Sequence, residues 1–127
     1  MWLVYFIQGE HGGPVKIGCT GDLVTRLKNL QIGNPNRLIV RETIPTSRIG
    51  NKAAYWIERT IRNSLSYLHV RGEWFRDDPQ LWDVCAEFKR NGLGTARRAI
   101  LYERYGYVDR VDHVRVGSVD RVYGVAE

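Results

Sequence analysis

The stretch VYFIQGEHGGPVKIG, residues 4–18, places two short apolar runs on either side of a glycine-rich loop. If the loop comprises residues 9–12, Tyr5 lies directly across from Lys16 in an antiparallel hairpin. The same register gathers four apolar side chains on one face, where they suit a core: Val4, Phe6, Val15 and Ile17. Tyr5 and Lys16 share the opposite face, so the sequence predicts a hairpin that pairs a tyrosine with a lysine.

Two amphipathic helices and a third strand are predicted after the hairpin. TGDLVTRLKNLQIGNP, residues 20–35, opens with a capping Thr20 or Asp22, carries leucines at helical spacing and stops at glycine and proline. RLIVRETIP, residues 37–45, is rich in branched side chains and predicts a strand. A longer helix is predicted from Asn51 onward. Its apolar face is traced by Ala54, Ile57, Ile61, Leu65 and Leu68.

Polar side chains interrupt the margins of these apolar faces. Arg26 flanks the leucine stripe of the first helix, and Glu58 lies at the margin of the second. HVRGEWFR, residues 69–76, predicts a turn into a short strand. The Asp-Pro pair at residues 78–79 opens a further helix that is predicted to end at Gly92.

Composition and cysteine usage narrow the class of protein. The chain has 127 residues, of which 43% are hydrophobic and 26% charged, so we expect a globular, soluble domain with a small appendage. The apolar opening MWLVYFI is too short for a membrane span and lacks the flanks of a signal peptide. Cys19 and Cys85 match no zinc spacing, so we expect reduced thiols, a cytoplasmic location and no membrane partner.

Positive charge is concentrated in the first part of the chain. Residues 1–76 hold 11 Lys and Arg against 5 Asp and Glu, a net charge of +6, whereas residues 77–127 hold 8 against 9. A basic field of this kind suits a polyanion such as nucleic acid, although ordinary solvated surface charge explains it equally well.

The last third of the chain has an ambiguous pattern. TARRAILYERYG, residues 95–106, predicts a short helix, and the sequence VDRV occurs at residues 108–111 and again at 119–122. The valines there recur mostly every third residue, which fits neither a strand nor a helix. Edge strands, a docking arm that forms a homo-oligomer and a partly ordered tail all remain open.

Taken together, the tyrosine strand, the KIG strand, the RLKNLQ helix and the RGEWF segment resemble the GIY-YIG nuclease superfamily, in particular its small single-domain branch of phages, bacteria and fungi. Residues 4–6 stand where that family has its first tripeptide and residues 16–18 where it has its second. The order of the four segments is specific, and the resemblance covers about residues 3–81.

The resemblance implies a fold and an activity. We expect an α+β domain over residues 1–91, with a small three-stranded antiparallel sheet flanked by helices, and a C-terminal helical or irregular extension over residues 92–127. The implied activity is that of a metal-dependent endonuclease, a phosphodiester hydrolase that acts on DNA, chiefly double-stranded. One Mg²⁺ or Mn²⁺ ion per site is expected.

The resemblance also implies roles for four side chains. Tyr5 would be the general base, and because a phenol has a pKa of about 10 it needs a nearby cation; Lys16 would supply that charge or hold the water itself. Arg26 would clamp an oxygen of the scissile phosphate, and Glu58 would bind the metal. Each has an ordinary alternative: a cross-strand pair for Tyr5 and Lys16, a surface position for Arg26 and an ion pair of Glu58 with Arg62.

The chain departs from the family pattern at two positions. Lys16 stands where tyrosine is common, and Arg62 stands where relatives often carry histidine, which favours a phosphate contact there. The candidates for nucleic-acid contacts are Lys28, Arg62 and Arg71, and those for protonating the leaving group are His11 and His69. The rival interpretations are a DNA-binding module of the same fold that does not cut, and an interaction protein that assembles through its VDRV repeats.

Overall fold

The structure, a computed structural model, describes residues 1–47 and 50–90. In this part of the chain a five-stranded antiparallel sheet is flanked by three helices. The strands are β1 (Trp2–Gly9), β2 (Gly12–Thr20), β3 (Leu38–Ser47), β4 (His69–Arg71) and β5 (Trp74–Phe75). The helices are α1 (Leu23–Gln31), α2 (Lys52–Ser64) and α3 (79–90), with a 3-10 turn at Ser66–Leu68.

The α+β class is confirmed, but the sheet is larger than the three strands expected. Its order is β3-β1-β2-β5-β4, and all neighbours are antiparallel. The two additional strands both come from HVRGEWFR, which folds back on itself at Gly72, a glycine with a φ of +55°. Residues 91–127, with the predicted helix and the VDRV repeats, lie outside the described residues.

The predicted register of the first hairpin is wrong by two residues. Gly9 and Gly12, which were expected in the loop, pair with each other, and the ladder then skips Gly13 and Pro14 in a bulge, so that Tyr5 lies opposite Gly18 rather than Lys16. Proline has no N–H to offer the ladder, and the Gln8 side chain donates to the carbonyl of Gly13 at 2.7 Å. A shift of two residues leaves every side chain on its predicted face.

The sheet carries a core on each face. On one face α2 and α3 cover the larger cluster, which includes all four apolar side chains predicted for the hairpin and all five predicted for α2 and its continuation. Phe75 and Phe88 also lie in this core. On the other face Tyr5 and Ile7 pack with Leu38 against the half-buried leucines of α1. Tyr5 therefore belongs to a different layer from the helix that carries Glu58.

Caps and polar contacts fix the helices on this sheet. Asp22 caps α1, because its carboxylate accepts from the hydroxyl of Thr25 and from the backbone N–H of Thr25, the latter at 3.1 Å. These two hydrogen bonds hold the pKa of Asp22 below its usual range. Asp77 accepts from the indole of Trp82 and from the Gln8 amide, both at 2.8 Å, and so ties α3 to β1. None of the helices among the described residues is long and apolar enough to cross a membrane.

Candidate active site

The candidate site lies at the edge of β2 that β5 leaves uncovered. β5 pairs with β2 only at Val15 and Lys16, so within residues 1–47 and 50–90 no strand pairs with the edge of β2 at Gly18. The turn between β4 and β5 closes beside it, where the Ile17 N–H donates to the carbonyl of Glu73 at 3.0 Å. Side chains from both faces of the sheet can reach this edge.

Tyr5 reaches the edge by crossing over Gly18. The tyrosine is 1% exposed, and a Cβ placed on Gly18 would lie 2.4 Å from its hydroxyl oxygen and 2.6 Å from its Cζ. No side chain larger than hydrogen fits between the phenol and the backbone of β2. The requirement for glycine here is one of space.

Two carboxylates meet at this edge around one guanidinium. Arg62 Nη1 lies 3.0 Å from Glu58 Oε2 and 3.9 Å from Glu73 Oε2. The other oxygen of Glu73 accepts from Lys16 Nζ at 3.0 Å, and the ammonium of Lys16 also lies 5.4 Å from the centre of the Trp74 ring. Glu58 is thus in the ion pair with Arg62 that helix spacing alone would predict, but that pair extends to a second carboxylate.

Arg62 is held at several further points. Its Nη2 donates to the carbonyl of Gly72 at 3.2 Å, and its guanidinium lies 6.0 Å from the Phe75 ring. Its Nε is buried and has no hydrogen-bond partner in the part of the chain that the structure describes. A buried donor without a partner is costly, so the geometry is imposed by the two carboxylates and the turn.

The phenol and a thiol at this edge are held in their neutral forms. Burial, with the negative charge of Glu73, raises the pKa of Tyr5 to about 12, while Arg26 opposes the shift. Burial and a hydrogen bond to Glu58 likewise raise the pKa of Cys19 to about 12. Lys16 was expected to favour the phenolate, but its charge is paired with Glu73 and the pKa of Tyr5 goes up, so that expectation is wrong for the free protein.

The charged and titratable groups at this edge form a single cluster, which we call the edge site. Its members are Tyr5, Lys16, Cys19, Arg26, Glu58, Arg62 and Glu73. Three of the side chains predicted for the catalytic roles lie beside other members of it, and the fourth, Arg26, acts on the pKa of Tyr5 by its charge. Arg26 projects from α1 with its side chain exposed, whereas Glu58 is 9% exposed on α2.

The other predicted contacts are scattered. Lys28 is exposed on α1 and Arg71 on β4. His11 sits at the tip of the hairpin, 85% exposed and beside Glu10, about 13 Å along the strand from the Tyr5–Gly18 pair. That distance places His11, a candidate for protonating the leaving group, away from the edge site. His69 is closer, because its Nε2 lies 2.8 Å from the Gly72 carbonyl that Arg62 also contacts.

With this geometry in place, comparison with known proteins gives one match. A family model described as the T5orf172 domain matches residues 3–90. The chain belongs to the T5orf172 domain family. No curated protein and no solved structure matched the chain. The T5orf172 domain occurs in phage and bacterial proteins and is often associated with nucleases and a GIY-YIG-like fold, which indicates a DNA-related role, either cleavage or binding.

Three residues in or beside the edge site have no predicted role. Glu73 lies within the GEWF segment, but its approach to Lys16 depends on the pairing of β5 with β2. Cys19 was interpreted only as a reduced thiol, and Gly18 only as the end of a motif. The sequence held one signal for Glu73. This acidic residue follows a glycine, at residues 72–73, in the segment that carried the resemblance.

The donors at the edge site suit a hard divalent cation that is completed by substrate. Within residues 1–47 and 50–90 no group of three or more His, Cys, Asp or Glu is arranged to hold a metal. Mg²⁺, however, is often bound through one or two carboxylates, with water and phosphate oxygens in its remaining positions. Glu58 and Glu73 provide that pair in the T5orf172 domain, where their charge is balanced by Arg62 and Lys16.

Proposed function

We propose that this T5orf172 domain is a GIY-YIG-type endonuclease that hydrolyses phosphodiester bonds in double-stranded DNA. The observation that carries the proposal is that Tyr5 and Glu58, from opposite faces of the sheet, reach one edge beside Glu73, where Arg26 of α1 lowers and Glu58 raises the pKa of Tyr5. A stable core does not require polar side chains from both faces of the sheet to meet at one edge. The family match and the basic first part of the chain support a DNA-directed role.

The edge site holds groups for two of the three requirements of hydrolysis, water activation and charge stabilisation. Such a reaction needs an activated water, charge stabilisation on phosphorus and neutralisation of the leaving oxygen. The exposed guanidinium of Arg26 binds a non-bridging oxygen of the scissile phosphate. Tyr5 orients the attacking water through its oxygen, and after losing its own proton to solvent it takes the proton of that water as a phenolate. Lys16 holds Glu73 in place.

Glu58 and Glu73 are the residues that would hold Mg²⁺ or Mn²⁺. When bound, the ion supplies positive charge that favours the Tyr5 phenolate and stabilises the negative charge developing on the phosphate. In the free domain the charge of Glu73 is one cause of the high pKa of Tyr5. The fraction of Tyr5 present as phenolate therefore depends on whether an ion is bound at the two carboxylates.

Cleavage of supercoiled plasmid tests the proposal. With magnesium, the parent domain should nick the plasmid, and Glu58→Gln should reduce the rate about 100-fold or more because it removes a metal ligand and keeps the side-chain shape. Glu87→Gln, in an exposed ion pair with Arg90 on α3, is the matched control and should cut like the parent. A chelator should stop cleavage by both.

The rival function is DNA binding without cleavage, and one observation favours it. Arg62 stands where relatives often carry histidine, and it is paired with both carboxylates. Plasmid that is retarded but intact with the parent and with both Glu→Gln variants would favour this rival and contradict the nuclease.

We expect Arg62 to compete with the divalent cation for the carboxylates. Arg62→Met should therefore strengthen Mn²⁺ binding to the free domain about tenfold, as measured by calorimetric titration without DNA, because the carboxylates lose a competing cation. Arg71→Met removes the same charge from an exposed strand position and serves as control. Equal affinities in the two variants would show that Arg62 does not oppose the ion.

A further inference from the structure

A polar groove lies beside the edge site, on the α2 face of the sheet. Its volume is about 370 Å³, which is within the range of sites that bind small ligands. Its lining comes from the end of α2, the 3-10 turn and the β4–β5 hairpin, with the side chains of Arg59, Arg62, Asn63, Ser66, His69 and Phe75. None of the reactions discussed above uses this groove.

The chemistry of the lining is that of an anion site. Two guanidinium groups, an imidazole, an amide and a hydroxyl line the groove, and no carboxylate is among the described residues that line it. Arg59, Asn63 and His69 have exposed side chains, and Nε2 of His69 lies against the Gly72 carbonyl. Phosphate oxygens accept hydrogen bonds from guanidinium, amide and hydroxyl groups.

The groove is joined to the edge site through Arg62. This arginine forms part of the groove and contacts both carboxylates. The carbonyl of Gly72 accepts from Arg62 and lies 2.8 Å from His69 Nε2, so the two basic side chains are held at one point of the β4–β5 turn. A ligand in the groove would therefore lie one side chain away from Glu58.

We propose that this groove binds the sugar-phosphate of a nucleotide that neighbours the cleaved bond on the same DNA strand. Arg59 contacts the phosphate, and Asn63 and Ser66 donate to phosphate or sugar oxygens. The proposal rests on the proposed function and adds to it the direction in which the strand leaves the site, from Arg26 past Glu58 toward the end of α2. The contacts are to the backbone, so they position the strand without reading its sequence.

Binding of a fluorescent DNA duplex, measured by anisotropy in the Glu58→Gln background so that the DNA stays intact, tests the groove. Asn63→Asp places a negative charge in it and should weaken binding about tenfold. Asn51→Asp makes the same change at the other end of α2, about 18 Å away along the helix, and should alter affinity by less than about twofold. Both positions are exposed, so both variants should fold.

Salt dependence provides a second measurement. Arg59→Gln should reduce the slope of log affinity against log salt by about 0.9, the value for one phosphate contact. Equal affinities for Asn63→Asp and Asn51→Asp, or an unchanged slope for Arg59→Gln, would overturn the groove proposal.

The outcomes also separate this proposal from the nuclease activity. If the parent domain nicks plasmid while the groove variants bind DNA like their controls, the nuclease proposal stands and the groove proposal is refuted. A parent domain that never cuts, but whose groove variants lose affinity as expected, keeps the groove as a DNA site and refutes the nuclease.

Discussion

Gly18→Ala is expected to destabilise the domain and to abolish cleavage. A methyl group at this position would lie 2.4 Å from the Tyr5 hydroxyl oxygen, and Tyr5 is fully buried, so either the phenol or β2 must move. Overpacking of this kind costs about 1 to 3 kcal/mol of unfolding free energy. The displaced hydroxyl would also leave the edge site, and a shift of about 1 Å in a reacting group can cost about 100-fold in rate.

Gly50→Ala is the matched control for this substitution. A Cβ at Gly50 would meet no atom within 4 Å, so the variant should keep both its stability and its cleavage rate. Denaturant midpoints and plasmid nicking rates would be compared for the two variants. If Gly18→Ala matched Gly50→Ala in both measurements, the close approach of the phenol to β2 would be refuted.

Tyr5→Phe is expected to remove cleavage while leaving the fold intact at neutral pH. The ring stays in the apolar layer beneath α1, and only the hydroxyl that reaches the edge site is lost. Loss of a general base or water-orienting group lowers rates by about 100- to 10,000-fold. Tyr55→Phe, on the exposed side of α2, should cut like the parent. A Tyr5→Phe variant that cuts at the parent rate would exclude the phenol from the reaction.

The same variant reports the pKa of Tyr5 through stability at high pH. Because folding raises this pKa from 10.0 to about 12, the neutral phenol stabilises the folded state fully below pH 10, and this contribution is lost as the pH rises through 12. At pH 11 the parent should therefore have lost about 1 kcal/mol that Tyr5→Phe retains. Cys19 titrates in the same range in both proteins and cancels in the comparison. Parallel stability curves from pH 8 to pH 11 would contradict the burial argument.

The elements of the fold follow from local patterns that the sequence displays. The alternation of apolar and polar residues correctly predicted which face of the hairpin is buried in the larger core. Helical spacing identified the buried face of α2, and the capping residues identified the start of α1. These predictions need only the period of each element, and a two-residue error in register does not change them. The register itself was mispredicted, because the bulge at Gly13 and Pro14 depends on the partner strand and on the Gln8 side chain.

The candidate site was likewise predictable from the sequence only in part. The sequence by itself determined which side chains were candidates, since Tyr5, Lys16, Arg26 and Glu58 stand at recognisable positions in separate segments. Only the tertiary structure decided how their charges are used. Lys16 and Arg62 are paired with Glu73, a residue whose position depends on a two-residue strand pairing with β2. Because pKa values and ion pairs are set by burial and by charges that lie far apart in sequence, no local pattern could have shown that the pKa of Tyr5 is raised rather than lowered.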